Sequence, residues 1–145
     1  MGFALAVATV APASAAKTPN PCKLLKKSEI GKVTHRDVSD PSRNTTLCGW
    51  DLDGGLGGGG SLLVLEIDKG SDAASNYEGF ATGQEKVHGL GDRAFYDSVL
   101  GMNVLKGNTY LHLSESSSLI GKKAPSKARV RRELTKLAKL ASKRI

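Results

Sequence analysis

The sequence predicts an α+β fold, an antiparallel sheet of about five strands with helices packed on it, in the order α-β-β-α-β-β-β-α. Three observations carry that prediction. Residues 87–113, V-H-G-L-G-D-R-A-F-Y-D-S-V-L-G-M-N-V-L-K-G-N-T-Y-L-H-L, read as three short strands joined by glycine-marked turns. Upstream, T-T-L-C-G-W-D-L and S-L-L-V-L-E-I-D-K flank a glycine run in the manner of a hairpin. At the C-terminal end, apolar residues recur at spacings of three and four, the mark of a helix with one buried face.

In chain order, residues 1–16, M-G-F-A-L-A-V-A-T-V-A-P-A-S-A-A, form an uncharged apolar run ending in small residues. This is the h-region and cleavage site of a secretory signal, with cutting expected after Ala15 or Ala16. The run is too short for a spanning helix. Pro12 and the Ala/Ser run weaken the alternative of a buried first helix. No cysteine stands at the cleavage site, so a lipid-anchored mature chain is not indicated. Residues 17–21 are a polar linker, and residues 22–145 make a single α+β domain, as this length allows.

Within the domain a helix is expected from residue 24 to about 33, with Leu24, Leu25 and Ile30 on its apolar side. Ser28-Glu29 offers an alternative break and restart. Residues 45–52 form the first strand, and alternation puts Cys48, Trp50 and Leu52 on its inner face. Residues 53–60 read as a flexible hairpin loop. A phosphate loop would end in a lysine and a hydroxyl ahead of a helix, whereas Ser61 leads into a strand. That strand, residues 61–69, pairs back on the first.

Ser71-Asp72 caps a helix from residue 73 to about 81, whose Tyr77 and Phe80 are expected to pack on the sheet. Strands at 94–96, 102–106 and 110–114 follow. Tyr110, His112 and Ser114 share one face of the last strand, and Leu111 and Leu113 the other. Residues 119–125 are a loop. Ser126 caps the closing helix, residues 126–144, with Val130, Leu134, Leu137, Ala138 and Ala141 as its apolar stripe.

Cys22 and Cys48 are an even pair. In an oxidising compartment they are expected to close one disulfide, worth roughly 3.5 kcal/mol on the chain-entropy model. A two-cysteine metal site would need further ligands, and a nucleophilic cysteine a partnered base; the sequence offers neither. The net charge of +7 is uneven, because residues 122–145 carry ten Lys/Arg against one Glu. The basicity belongs to the tail, and the rest of the chain is near neutral.

P-C-K-L-L-K-K-S-E-I, then C-G-W before a strand, then V-H-G-L-G-D-R-A-F-Y and V-L-K-G-N-T-Y-L-H-L, resemble a family of small secreted proteins and lipoproteins of actinobacteria of unknown function. The resemblance covers residues 21–145. It departs in having Asn20 before Pro21, no lipobox cysteine and an unusually basic closing helix. It implies a PsbP-like α+β sandwich and brings no catalytic signature.

The candidate chemistry is sparse. His35, His88 and His112 with Asp92 are the one set with metal-ligating side chains, spread over a turn and separate strands, and no metal or other cofactor is expected. No G-x-S-x-G elbow accompanies Ser114, Ser116, Ser117 and Ser118. Nothing selects a hydrolytic carboxylate pair from Asp92, Asp97 and Glu115, so the chain is read as not an enzyme.

Gly89, Gly91, Asp92 and Tyr96 are the candidate rim of a ligand groove; the plainer reading gives the glycines to a turn and Asp92 to its amides. Arg129, Arg132, Lys136, Lys139 and Lys143 form a cationic stripe suited to an anionic wall polymer or lipid headgroups; the plainer reading is a solvated face. Secretion and the lack of interleaved aromatics argue against nucleic acid. The expected function is a secreted, non-enzymatic binding or interaction module of the cell envelope, taking a small ligand or a partner protein. The alternatives are electrostatic attachment through the closing helix and, last, hydrolysis.

Overall fold

The computed structural model describes residues 18–118 and 124–145. The signal read at residues 1–16 lies outside them, as does most of the loop at 119–125. Three α-helices and one antiparallel sheet of seven strands make up the described fold.

The first expected helix is broken in two. A 3-10 turn at Pro21–Lys23 is closed by the Asn20 side chain, which accepts the Cys22 N–H at 3.0 Å. Lys26 is extended, and α1 (Lys27–Thr34) starts after it. Glu29 accepts the Lys26 N–H at 2.9 Å, satisfying a donor that the helix leaves open. The Ser28-Glu29 restart is therefore the correct alternative.

The strands are β1 (Ser42–Arg43), β2 (Leu47–Leu52), β3 (Ser61–Lys69), β4 (Glu85–Lys86), β5 (Arg93–Asp97), β6 (Gly101–Lys106) and β7 (Thr109–Ser117), with α2 (Asp72–Ala81) between β3 and β4. They lie in the order β1-β2-β3-β7-β6-β5-β4. The expected hairpin and meander are both present. The strand count of about five is corrected by β1 and β4, two-residue edge strands too short to show alternation. The glycine run also holds a 3-10 turn at Leu56–Gly58.

The inner face carries Trp50, Leu52, Leu63, Leu65, Ile67, Met102, Val104, Leu111 and Leu113, all fully buried. Against it lie Leu24 and Leu25 ahead of α1, Ile30 of α1, and Leu134, Leu137, Ala138 and Ala141 of α3 (Lys127–Ser142). Ser126 caps α3 as expected, its hydroxyl accepting the Arg129 N–H at 3.3 Å. Lys106 binds the other end, donating to the Ser142 and Ile145 main-chain oxygens at 2.7 and 2.9 Å, where a cation suits the helix dipole. The disulfide joins Cys22 to Cys48, with Cα atoms 5.2 Å apart, and ties the first turn to β2.

α2 lies on the other face, where Ala73 and Tyr77 pack on Phe95, Leu105 and Tyr110. Tyr77 meets Phe95 edge-on at 5.2 Å between ring centres. Two expectations are corrected here. Ser71 is already helical and its hydroxyl donates to Asp72 Oδ1 at 3.1 Å, so it does not cap the helix. Phe80 is half exposed rather than packed on the sheet.

Candidate functional site

The outer sheet face builds a polar floor by register alone. Glu66 of β3 pairs with His112 of β7, which pairs with Asn103 of β6, and one same-face step away Asp68 pairs with Tyr110. One flank of α2 roofs these residues with Asn76 and Phe80, and Leu100 closes the end. The result is a cleft of about 320 Å³.

Its polar groups are tied to one another. Tyr110 Oη donates to Asn103 Oδ1 at 2.6 Å, and Asn103 Nδ2 donates to the Gly101 carbonyl at 3.2 Å. Asn76 Nδ2 donates to Asp68, and His112 Nε2–H to the Leu100 carbonyl. In the neutral tautomer that bond leaves His112 Nδ1 bare, 3.8 Å from the Glu66 carboxylate. Burial, with the charges of Glu66 and Asp68 beside it, pushes the Tyr110 phenol up to about 12, so it stays a neutral donor. Alternation in the sequence puts Tyr110 and His112 on one face, and Asn103 is the lone polar residue inside an apolar strand. Neither pattern reveals the helix above them.

On the opposite flank of α2 a second cleft, about 390 Å³, is lined by Tyr77, Phe95, His88, Gly89, Gly91 and Asp92 among others. The proposed rim is thus partly assembled. Tyr96 is not in it: the Tyr96 ring packs against the inner core, with the Arg131 guanidinium 5.5 Å from its centre. Asp92 accepts the Gly107 N–H at 2.6 Å while its own N–H reaches the Leu105 carbonyl, so it pins the turn to the β6–β7 connection. The same turn faces the end of α3, where Gly89, Gly91, Asp92, Lys106, Lys139 and Lys143 line a shallow depression of about 260 Å³. Two candidates that lie far apart in sequence adjoin there.

The cationic stripe loses one member. Arg129 turns inward, donating to Glu133 at 2.7 Å and to the Thr34 carbonyl at 2.8 Å. Arg132, Lys136, Lys139 and Lys143 are exposed and make no ion pair among the described residues.

A buried ion cluster escaped the sequence reading, because Arg36 lies 79 and 97 residues from the two carboxylates it binds. Arg36 grips Glu115 bidentately at 2.6 and 2.9 Å, reaches Glu133 at 2.7 Å, and touches the Ser61 hydroxyl at 3.2 Å. Burial opposes the Arg36 charge, but the two carboxylates outweigh it and hold the guanidinium above its ordinary value. Glu115 is spent in this cluster. Asp92 is spent in its turn. Asp97 accepts the Leu100 and Val99 N–H groups, which lower its carboxyl. The three carboxylates therefore serve three separate networks. The three histidines are likewise dispersed, and among the described residues no three His, Cys, Asp or Glu side chains gather as for a metal.

No protein-family model matches the chain, and no curated protein or solved structure matches it either.

Proposed function

We propose that the chain is a secreted, non-enzymatic binding module of the cell envelope whose ligand seats in the cleft between α2 and the β3–β7–β6 face. The observation that carries this reading is the floor of that cleft: convergent polar groups fixed by register and hydrogen bonds, beside the half-exposed Phe80 ring. The floor belongs to the central strands, which favours a pre-organised site. The closed Cys22–Cys48 pair supports an oxidising compartment, and no described helix is long and apolar enough to cross a membrane. The Pro-Cys and Cys-Gly-Trp motifs supply that disulfide and Gly-Leu-Gly-Asp the pinned turn, and the resemblance to small secreted actinobacterial proteins supports the same compartment. Binding fits better than hydrolysis because the sequence-offered carboxylates are each engaged elsewhere.

The test is a small-molecule library titrated into isotope-labelled protein. Ligands should shift the backbone resonances of Asp68, Asn103 and His112, and Phe80→Ala should weaken them about tenfold, the scale of one lost aromatic contact, without lowering Tm. A library that leaves those resonances unmoved would reject the reading.

A second reading is favoured by Arg132, Lys136 and Lys139 of α3 and Lys143 at its C-cap, exposed cations that make no ion pair among the described residues: attachment to anionic wall polymer or lipid headgroups. Replacing Arg132, Lys136, Lys139 and Lys143 with Gln should then abolish retention on anionic vesicles or polyanion resin at low salt. Retention equal to that of the parent chain would exclude it.

A further inference from the structure

We infer that the α2 cleft selects organic cations: small ligands with an ammonium or guanidinium group attached to an apolar body. This inference rests on the cleft being the ligand site and names the class of ligand it takes.

The donors and acceptors of the cleft are not in balance. The Tyr110 hydroxyl and His112 Nε2–H have both been given to protein oxygens, and each of the two amides has given one N–H in the same way. What remains is mostly acceptors: the Glu66 carboxylate, the second oxygen of Asp68, the Tyr110 oxygen and the bare Nδ1 of His112. Nδ1 and Glu66 face each other at 3.8 Å with no donor between them. An N–H group entering there would bond both. A ligand carboxylate or carbonyl would add another acceptor against them.

Charge points the same way. The chain carries +7 overall, yet the cleft is lined by two carboxylates and by no Lys or Arg. Burial is the main reason the Tyr110 phenol is raised, and the Glu66 and Asp68 charges add to it. Phe80 and Tyr110 offer ring faces for the apolar body and for cation–π contact. The second cleft lacks this bias, since Arg93 and Lys86 line it with Glu78 and Asp92.

The test uses three probes of similar shape, phenethylammonium, 2-phenylethanol and 3-phenylpropanoate, titrated into disulfide-intact protein and followed by amide resonances. The ammonium probe should shift Glu66, Tyr110 and His112 and bind about tenfold tighter than the alcohol, as a charge-assisted contact allows. In the Glu66→Gln/Asp68→Asn variant the ratio of ammonium to alcohol affinity should fall to about one. Both positions lie at the surface of the cleft, and an unchanged Tm verifies that the variant folds. Alcohol or carboxylate binding in the cleft as tight as the ammonium overturns cation selectivity but keeps the cleft as a site. If no probe of any charge moves cleft resonances, the cleft itself is rejected, and the inference with it.

Discussion

At Gly91 the backbone has φ +55°, and a Cβ there would lie 2.5 Å from the Leu105 carbonyl oxygen and 2.7 Å from Val104 Cγ1. Gly89, two residues earlier, also has positive φ, but the space around it is open. Gly91→Ala should therefore cost about 3 kcal/mol or more of unfolding free energy, and Gly89→Ala about 1 kcal/mol. Urea titration of the two variants checks this, and equal losses would contradict it. The turn and its Asp92 were legible in the sequence because Gly-Leu-Gly-Asp states its own local chemistry. The side on which Tyr96 falls was not, since that depends on how β5 meets β6. A second residue-scale test lies at Glu29. The Arg144 side chain grips its carboxylate and, with the Lys26 N–H, lowers it to about 2 from 4.5 against the opposing effect of burial. A depressed carboxyl adds stability that is full above about pH 4.5 and is lost as pH falls towards 2. Discounted for solvent screening, this is roughly 1–2 kcal/mol. Denaturation of the parent chain and Glu29→Gln should differ at pH 7 and converge near pH 2.

Between elements, the contacts that matter most bridge long stretches of chain. Arg36 links the loop after α1 to β7 and α3 through Glu115 and Glu133, with side chains no more than 9% exposed. Arg36→Met strands Glu115 and leaves Glu133 with Arg129 as its one cation, and should cost about 3–5 kcal/mol, whereas the triple change Arg36→Met/Glu115→Leu/Glu133→Leu should recover most of it. Thermal unfolding of both proteins is the measurement; a triple variant as weak as the single one would show that the cluster does more than neutralise itself. The disulfide is the other bridge, and Cys22→Ser/Cys48→Ser should lose about 2–5 kcal/mol, read by the same unfolding experiment. The cysteine pair could be read because two cysteines offer a single possible bridge. The ion cluster could not, since nothing local marks Arg36, Glu115 or Glu133 as neighbours. Long alternating strands such as β3 were plain in the sequence for the same reason that β1 and β4 were hidden: two residues carry no period.

At the scale of the molecule, helices cover both faces of the sheet, and α2 leaves a cleft beneath it. Layering and fold class follow from hydrophobic periodicity, which the sequence displays. The cleft follows from the path that α2 takes across the outer face, and that path is set by the whole assembly rather than by residues 72–81. Charge is also arranged at this scale: the exposed cations Arg132, Lys136, Lys139 and Lys143 lie on α3 and its C-cap, on the inner-face side, while the carboxylates of Glu66 and Asp68 lie across the sheet from them. One consequence concerns how the protein is made. β7 is synthesised after every other strand, yet it sits between β3 and β6 and zips to β3 over nine residue pairs. Until it emerges, the earlier hairpin presents an open edge and the nascent polypeptide has no finished interior. The sheet therefore stays in two unjoined halves until β7 arrives, and the fold locks only when that last strand seats itself between them.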